Sequence, residues 1–329
     1  MSYKFEKLEP SQYTEWDHYV ESNNLGTVFH KTAWLLLLGG EMEVYITRID
    51  SQIFGGVALV TTKKNGVQGY HIPPYTPYFS PLFGNTQLRS HHVKEEYQFI
   101  SDLLKFIPRK GHIDFKFPPN NKIILPYHWN GYQSEIRLTH VIHNDITSYL
   151  RCLNKNKFRE IKKLENMEDT QEIRVDSKIQ PDSFLEILNQ TGNRNEINVQ
   201  EDVIRRILQT GNDEIFKTIA IYTPEFGYLS VGIFPYDKHT VYNLVNASTT
   251  IEHPILKTIN LYLVYKAIQF ALTTNRAFDF EGSMLPGVEA FFRLMGGTPE
   301  PIHRFQKSPS IRYSLMRAVN QLLNDRKRA

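Results

Sequence analysis

The sequence predicts an α/β protein of the α+β type, with two domains that each hold a mixed, mostly antiparallel sheet flanked by helices. The chain has 329 residues, a length that suits two domains of ordinary size, each with its own core. Segments in which apolar and polar residues alternate, as in strands, lie among segments with apolar residues at helical spacing. The order of these segments, three strands followed by a helix and a strand, occurs once in each half of the chain.

The composition is that of a globular protein and excludes several classes of function. Hydrophobic residues make up 41% of the chain and charged residues 22%, and 38 basic residues nearly balance 35 acidic ones. The net charge of +3 does not indicate a nucleic-acid-binding protein, although a local basic patch is compatible with it. Cys152 is the one cysteine, which excludes an internal disulfide and a thiol-rich metal site. Because the first residues lack a signal peptide's apolar core and no apolar stretch could span a bilayer, we expect a cytoplasmic protein.

The first half predicts a domain over residues 1–143. Its first long strands are recognised by their alternation and are joined by a short turn at Asp50, Ser51 and Gln52. The segment 73–81 is rich in proline, which forbids regular structure, and Tyr75 and Tyr78 predict a loop with an adhesive surface. The predicted elements are helices at 11–21, 31–38 and 91–106, and strands at 44–49, 54–62, 67–72, 112–117 and 132–142.

The second half predicts a domain over residues 144–307 that repeats this order. Val44 matches Ile215 and Ile113 matches Phe278 at nearly constant spacing, but identity between the halves is weak, so the repeat is one of architecture. A final amphipathic helix is predicted over 308–325. The other predicted elements are helices at 146–165, 181–190, 200–208 and 254–273, and strands at 172–175, 215–222, 228–234, 240–247 and 278–281.

The stretch 278–297 carries the strongest functional signal. It predicts a short strand, a glycine-marked turn and a helix that ends at a glycine pair. Alternation along the strand places Asp279 and Glu281 on one face and Phe278 and Phe280 on the other. The aromatic face predicts burial. The acidic face predicts either a polar functional site or carboxylates that bind the amides of their own turn.

This stretch resembles the C-terminal signature of Fem-type peptidyltransferase-like proteins, which are tandem GNAT acyltransferases. Further matches lie upstream, so the resemblance covers most of the chain. The matching segments are Phe-Asp-Phe-Glu-Gly-Ser-Met at 278–284, Glu-Ala-Phe-Phe-Arg at 289–293, the pair Gly296-Gly297, Trp-Asn-Gly-Tyr-Gln at 129–133, the basic run 155–163 and the helix from Pro254.

The resemblance implies two tandem GNAT-like domains, with the helix 308–325 packed back on the first. It implies acyl transfer to an amine by direct attack in a ternary complex, with an aminoacyl-tRNA as donor, a peptidoglycan precursor as acceptor and no tightly bound cofactor. Asp279 or Glu281 would be the base or the orienting group, a role for which a carboxylate needs partial burial or a relaying water. The implied donor and oxyanion contacts are the backbone amides of Val245, Asn246 and Ala247.

The turn after Ala247 is where GNAT enzymes hold the pyrophosphate of coenzyme A. Ser248 and Thr249 offer hydroxyls there, and the helix that follows offers free amides. The glycines of the usual pattern are absent, however, and Glu252 would repel a phosphate. Phosphate binding and simple capping of the helix by Ser248 and Thr249 therefore both remain open.

The basic run before residue 164 is a second candidate binding feature. Lys155 and Arg159 are close together at helical spacing, and Glu160 is the single acid among them, so the local field should be strongly positive. A phosphorylated acceptor or an RNA would suit this run, and a merely solvated helix face is the alternative.

Aromatic residues of the first domain are candidates for the walls of an acceptor cleft, because loops with aromatic side chains and polar tips commonly line binding sites. The alternative is that they pack in the interior. The histidines show no metal-ligand spacing, so no metal site is expected. The aromatic candidates are Tyr75, Tyr78, Trp129 and Tyr132.

The favoured function is an acyl- or aminoacyltransferase that acts on an amine, with a cell-envelope precursor as acceptor and tRNA as a further candidate partner. One alternative is an acyl-CoA-dependent N-acetyltransferase of an amino sugar or amino acid. The other is a GNAT scaffold that has become a non-catalytic binding protein, because a fold does not determine a function.

Overall fold

The computed structural model describes residues 2–64, 66–84, 93–108, 111–143, 145–194, 199–211, 213–251, 255–282 and 285–308. The chain divides into two compact units: unit 1 comprises Met1–Arg137 with the chain from Pro301, and unit 2 comprises Leu138–Glu300. The domain boundary predicted between residues 143 and 144 stays a prediction. Glu252, Pro254, Ser283 and Met284 lie outside the described residues, as does the predicted helix 308–325 beyond its first residue.

The described residues form strands and helices in nearly the predicted order. The strands are β1 (Glu6–Lys7), β2 (Glu41–Ile49), β3 (Gln52–Lys64), β4 (Val67–Tyr70), β5 (Leu82–Phe83), β6 (His112–Lys116), β7 (Gln133–Ile142), β8 (Arg174–Asp176), β9 (Phe216–Thr223), β10 (Gly227–Pro235), β11 (Thr240–Tyr242), β12 (Val245–Ser248), β13 (Ala277–Asp279) and β14 (Thr298–Lys307). The helices are α1 (Tyr13–Ser22), α2 (Thr32–Leu38), α3 (Val93–Phe106), α4 (Leu125–Trp129), α5 (Ile146–Cys152), α6 (Lys155–Asp169), α7 (Pro181–Arg194), α8 (Glu201–Thr210), α9 (Leu256–Thr273) and α10 (Pro286–Leu294).

The sheet of unit 1 runs in the order β1-β2-β3-β4-β6-β14, and β5 pairs with β3. Strands β2 and β3 form an antiparallel hairpin as predicted. Asp50 and Ser51 turn the chain with φ angles of 50° and 66°, a left-handed pair that matches the twist of a tight hairpin. Strands β4 and β6 are parallel, with Tyr70 opposite Ile113.

Two neighbouring glycines of β3 let helices approach both faces of the hairpin. A Cβ at Gly55 would lie 2.6 Å from the ring of Phe99 on α3, and one at Gly56 would lie 2.9 Å from the ring of Trp16 on α1. Both rings are fully buried. Successive residues of a strand face opposite sides, so these contacts place core packing on each side of β3.

A buried ion pair joins β6 to β14 within unit 1. Arg304 donates from Nε to Asp114 Oδ1 at 2.8 Å and from a terminal nitrogen to Oδ2 at 2.6 Å. Burial alone would raise the pKa of Asp114, but the hydrogen bonds from Arg304 and His112 outweigh it and lower that pKa to about 2. The carboxylate is therefore ionised and neutralised inside the unit.

The proline-rich segment 73–81 is a loop, as predicted, but the prediction of an adhesive surface was wrong. Tyr78, Phe79 and Ser80 are buried. The amide and carbonyl of Phe79 both hydrogen-bond to Lys116 of β6 at 2.8 Å. His30, also buried, lies 3.0 Å from the hydroxyl of Ser80. The prolines prevent a regular strand, yet the loop joins the core through one paired residue.

Unit 2 contains an antiparallel sheet in the order β12-β10-β9-β8 and a separate pairing of β11, β13 and the end of β7. Strands β11 and β13 are parallel, and β13 is antiparallel to β7. Helix α9 packs on β9, β10, β12 and β13 and is buried along most of its length. Ile259, Leu263 and Ala267, spaced four residues apart along α9, are fully buried.

Several predicted elements of unit 2 needed correction. The helix predicted at 146–165 is two helices, because Leu153 is extended and Asn154 begins α6 by accepting from the amide of Asn156 at 3.0 Å. The strand predicted at 240–247 is divided into β11 and β12, which pair with different neighbours. Helix α4 and strand β14 were not predicted, and prolines in both weaken their sequence patterns.

Candidate active site of unit 2

In unit 2 the chain changes its strand partner between β11 and β12. Tyr242, the last residue of β11, lies opposite Asp279 of β13, and the amide of Asn243 still donates to the carbonyl of Asp279 at 2.9 Å. From Val245 onward the chain pairs with β10 instead. We call Asn243 and Leu244, where the chain changes partner, the strand break.

The pairing of β12 determines which of its amides are available. Thr249 donates to the carbonyl of Leu229 at 2.9 Å, and amides alternate in direction along an antiparallel pair, so those of Ala247 and Val245 also point toward β10. The amides of Asn246 and Ser248 point away from β10, and that of Ser248 donates to the hydroxyl of Thr191 at 3.0 Å. Among the three predicted donor contacts, Asn246 therefore carries the amide that is directed away from the ladder.

Asp279 is buried at the end of β13, and its carboxylate is held by polar neighbours. Its Oδ1 accepts from the hydroxyl of Thr139 and from the amide of Glu281, the latter at 2.8 Å. This second bond is the contact with its own turn that the sequence left open as an alternative. The arrangement fits an orienting group at least as well as a base, and the catalytic role of Asp279 and Glu281 stays a prediction.

Glu281 does not continue the alternation that the sequence predicted. The strand ends at Asp279, and Glu281 and Gly282 have φ angles of 60° and 70°. A Cβ at Gly282 would lie 2.1 Å from the carbonyl oxygen of Leu138, so the glycine is required for this close approach. The turn therefore carries Glu281 off the strand, while Asp279 stays within it.

A pair of asparagine side chains adjoins the strand break. Nδ2 of Asn246 donates to Oδ1 of Asn243 at 2.6 Å. Asn246 was a candidate from the sequence because of its backbone amide, whereas Asn243 was not a candidate. The available signal was compositional, because asparagine is disfavoured in strands and two of them interrupt the otherwise apolar segment that follows Val241.

The turn after β12 is bound to helix α7 rather than left open. Oε1 of Gln190 accepts from the hydroxyl of Thr249 at 2.9 Å and from the amide of Thr250 at 3.0 Å. The hydroxyl of Thr191 donates to the carbonyl of Ser248 at 2.9 Å. Side chains of α7 thus engage the hydroxyl of Thr249, which the sequence offered to a phosphate, and the neighbouring amide of Thr250.

The basic helix α6 separates its charges between two faces. Glu165 accepts from Tyr265 of α9 at 2.9 Å and pairs with Lys162 at 2.6 Å. Glu168 accepts from Tyr262 of α9 and pairs with Lys266 at 2.7 Å. Burial, helped by the carboxylate, raises the pKa of Tyr265, which keeps its phenol a donor.

An uncompensated basic face remains on α6 after these pairings. Glu160, the single acid of the basic run, pairs with Lys157 at 2.8 Å. Lys155, Arg159 and Lys163 are exposed, and no carboxylate of a described residue lies within ion-pair distance of them. They recur every fourth residue, about 6 Å apart along the helix axis. We call these three residues the basic stripe.

The aromatic candidates of unit 1 divide into core and surface. Tyr78 and Tyr132 are 0% and 4% exposed, and Tyr132 packs against Phe115 and Tyr127, so both have packing roles. Trp129 at the end of α4 is 62% exposed and meets Tyr97 edge to face at 5.6 Å. Tyr75 is half-buried with a φ of 52°. Trp129 and Tyr75 remain the candidates that a substrate could reach.

The described residues contain neither a metal-binding cluster nor a membrane-spanning helix. No group of three or more His, Cys, Asp or Glu side chains in these ranges is arranged to hold a metal ion. Among the helices of the same ranges, none is both long and apolar enough to cross a membrane.

Comparison with known proteins identifies the fold. No protein-family model and no curated protein sequence matches the chain. Among solved structures, FemX superposes with a TM-score of 0.68 at 12% identity, over 91% of this chain and 96% of FemX. L-PGS from Bacillus licheniformis gives 0.57 at 10% identity, over 94% and 96% of the two chains. A tandem GNAT protein from the clavulanic acid biosynthesis pathway gives 0.54 at 8% identity, over 93% and 100%. The chain therefore has a Fem-like tandem GNAT fold, which confirms the predicted fold class and the resemblance seen in its sequence.

Proposed function

We propose that this chain transfers an aminoacyl group from an ester donor to an amine, and that the reaction takes place at the strand break of unit 2. The observation that carries the proposal is the change of strand partner there. It leaves the amide of Asn246 directed away from β10, three residues after Asn243, whose amide donates to the carbonyl of Asp279. A backbone donor and a fixed carboxylate are two of the groups that a direct acyl transfer needs.

The reaction requires no covalent enzyme intermediate. The amine nitrogen attacks the ester carbonyl carbon, and the carbonyl electrons move onto its oxygen, which accepts from the amide of Asn246. The electrons then return, the bond from carbon to the donor alcohol breaks, and the alcohol oxygen takes the proton that the amine loses. Asp279 or Glu281 orients the amine or a relaying water for this proton transfer.

The turn after β12 favours an aminoacyl-tRNA over acetyl-CoA as donor. Gln190 already accepts from Thr249 and Thr250, so a pyrophosphate at this turn would have to displace its carboxamide. The turn also lacks the glycines that allow close approach of a phosphate. The resemblance to Fem-type proteins adds the aminoacyl-tRNA donor and the peptidoglycan-precursor acceptor.

The basic stripe supports a phosphate-bearing partner. Lys155, Arg159 and Lys163 present uncompensated charge, because Glu160, Glu165 and Glu168 of α6 are paired with other lysines or with tyrosines. Phosphates of a tRNA or of a nucleotide-linked precursor would neutralise this stripe. Trp129 and Tyr75 are the aromatic side chains of unit 1 that we propose for contacts with the acceptor.

An acyl-CoA-dependent N-acetyltransferase is the second candidate, favoured by the likeness to a tandem GNAT protein whose structure was determined without AcCoA. The deciding experiment offers the purified chain two labelled donors in parallel, tRNA charged with amino acids and acetyl-CoA. The acceptors are nucleotide-linked peptidoglycan precursors, amino sugars and amino acids. We expect label to move from tRNA to a precursor amine. Transfer from acetyl-CoA alone would establish the second candidate, and no transfer from either donor would identify a non-catalytic scaffold.

A further inference from the structure

The side chains of Asn246 and Asn243 at the strand break form a hydrogen-bonded pair. One atom of this pair is enclosed by the protein, and another is accessible. The Nδ2 group of Asn246 donates to Oδ1 of Asn243 at 2.6 Å, so each carboxamide is fixed in its orientation. Oδ1 of Asn246 is enclosed and has no hydrogen-bond partner among the described residues. It lies against Gly232, where a Cβ would come within 3.0 Å of it.

The enclosed oxygen has an energetic cost that calls for an explanation. A buried acceptor without a partner destabilises a protein, because no hydrogen bond offsets the loss of its contact with water. Turning the carboxamide over would give Oδ1 a different environment but would set two acceptor oxygens against each other at Asn243. The observed orientation of the Asn246 carboxamide therefore leaves its Oδ1 without a partner but gives Oδ1 of Asn243 a donor.

The accessible atom of the pair is Nδ2 of Asn243. This residue is half-buried, its backbone amide is fixed on the carbonyl of Asp279, and its Oδ1 is fixed by Asn246. Its own Nδ2 group donates to no described residue and, unlike Oδ1 of Asn246, is not enclosed. A carboxamide whose oxygen accepts a short hydrogen bond is polarised, which makes its N–H groups stronger donors.

We propose that Asn243 is a catalytic residue, and that its Nδ2 group donates to the carbonyl oxygen of the acyl donor as that oxygen becomes negative. Asn246 is its positioning residue, in addition to the backbone amide that Asn246 supplies. This inference rests on the proposed function, because it assigns a second oxyanion donor to the same reaction. A side-chain donor that is held in advance stabilises the developing charge without reorganisation.

The test compares isosteric substitutions under saturating substrates. Asn243→Asp keeps the shape but replaces the donor with a carboxylate, so we expect kcat to fall by about 100-fold or more while KM changes little. Asn246→Asp should also lower kcat, because it sets a carboxylate against Oδ1 of Asn243. Asn24→Asp, the same change at an exposed residue of unit 1, is the matched control and should keep the wild-type kcat.

The double variant separates positioning from independent action. If Asn246 works through Asn243, then Asn243→Asp with Asn246→Asp will have about the kcat of Asn243→Asp alone. Fully additive losses would overturn the positioning role, and wild-type kcat in Asn243→Asp would overturn the catalytic one. If an aspartate variant fails to fold, Asn243→Ser replaces it, and a folded Asn243→Ser enzyme with wild-type kcat would also overturn the proposal.

Failure of this inference is distinguishable from failure of the proposed function. Aminoacyl transfer by the wild-type chain with an unimpaired Asn243→Asp variant contradicts this inference alone. A wild-type chain that transfers no acyl group from either donor contradicts both.

Discussion

Two buried aspartates at equivalent places in the two units have opposite surroundings. Asp114 lies on β6, which is paired in parallel with β4, and Asp279 lies on β13, which is paired in parallel with β11. Asp114 is neutralised by a bidentate bond with Arg304. Asp279 accepts instead from a hydroxyl and from a backbone amide. The same architecture therefore neutralises one carboxylate with an arginine and surrounds the other, the one we propose for chemistry, with neutral donors.

The path of the chain beside these two aspartates also differs between the units. After β4, the chain of unit 1 returns through the loop, and Phe79 pairs with Lys116 on the side of β6 that β4 has left. After β11, the chain of unit 2 turns to β10 and leaves the asparagine pair beside Asp279. In unit 1, the backbone of the chain itself therefore occupies the position that corresponds to the candidate site of unit 2.

The largest effect we predict concerns the stability of unit 1. Asp114→Asn leaves Arg304 buried without its main charge partner, and breaking a buried ion pair in this way costs about 3–5 kcal/mol. Trp16, Trp34 and Trp129 all lie in unit 1, so denaturant unfolding followed by tryptophan fluorescence measures this unit directly. Adding Arg304→Met to the variant should recover part of the loss, and an Asp114→Asn chain as stable as the wild type would remove the structural half of the comparison.

The pH dependence of unit 1 follows from the same pair. The pKa of Asp114 is lowered to about 2 in the folded chain, against roughly 3.9 in an unfolded one. Its contribution to the free energy of unfolding is therefore complete above about pH 4 and is lost as the pH falls through about 2. We expect the wild-type chain to lose more stability than Asp114→Asn between pH 4 and pH 2, as measured by the same fluorescence. Equal losses in the two chains would contradict the assignment.

The reciprocal prediction concerns Asp279. Asp279→Asn and Glu281→Gln remove charge at nearly constant volume, so turnover should fall by about 100-fold if either carboxylate is the base or the orienting group. The melting temperature should change little. Asp114→Asn is the matched control, with lower stability and unchanged turnover per folded molecule. Full activity in both unit 2 variants, or unfolding of both, would show that these acids only brace their turn.

The sequence could predict the fold because most of its signals are local. The hairpin turn at Asp50 and Ser51, the helix before the glycine pair and the helix α9 depend on neighbouring residues, and the structure confirms them. The division of the strand at 240–247 depends on two distant partners, β13 and β10. No alternation pattern within the strand itself could reveal that choice.

The candidate site was only partly predictable for the same reason. Asp279 and Asn246 stand out as polar residues in apolar segments. Asn243 becomes a candidate only through its contacts with Asn246 and with the carbonyl of Asp279. Tyr78 and Tyr132 are aromatic residues of the kind that commonly line binding sites, but both are buried by the packing of unit 1. The role of Gln190 depends on the seating of α7 beside the turn, which spacing cannot show.

A smaller effect is expected at the basic stripe, and it tests whether unit 2 also binds the phosphate-bearing partner. Lys155→Gln with Arg159→Gln should weaken the binding of charged tRNA or of a nucleotide-linked precursor by about tenfold and reduce the slope of affinity against salt by about 2. Lys157→Gln with Lys162→Gln removes the same charge from lysines that are already paired with Glu160 and Glu165. Equal losses in the two double variants, measured by titration at two salt concentrations, would indicate a nonspecific field.

The smallest effect concerns the donor turn of unit 2. In the wild-type chain we expect weak binding of acetyl-CoA, because the carboxamide of Gln190 occupies the hydroxyl of Thr249 and the amide of Thr250. Gln190→Ala releases both groups, and since one hydrogen bond contributes about 0.5–1.5 kcal/mol, acetyl-CoA should bind about 3–10 times more tightly. Asn189→Ala, which removes a neighbouring side chain of α7 that bonds to Glu201, is the matched control and should leave the affinity unchanged. Calorimetric titration of the three chains provides the measurement. If the wild-type chain binds acetyl-CoA tightly and Gln190→Ala weakens that binding, then Gln190 supports the turn for a coenzyme A phosphate and the N-acetyltransferase becomes the better account of unit 2.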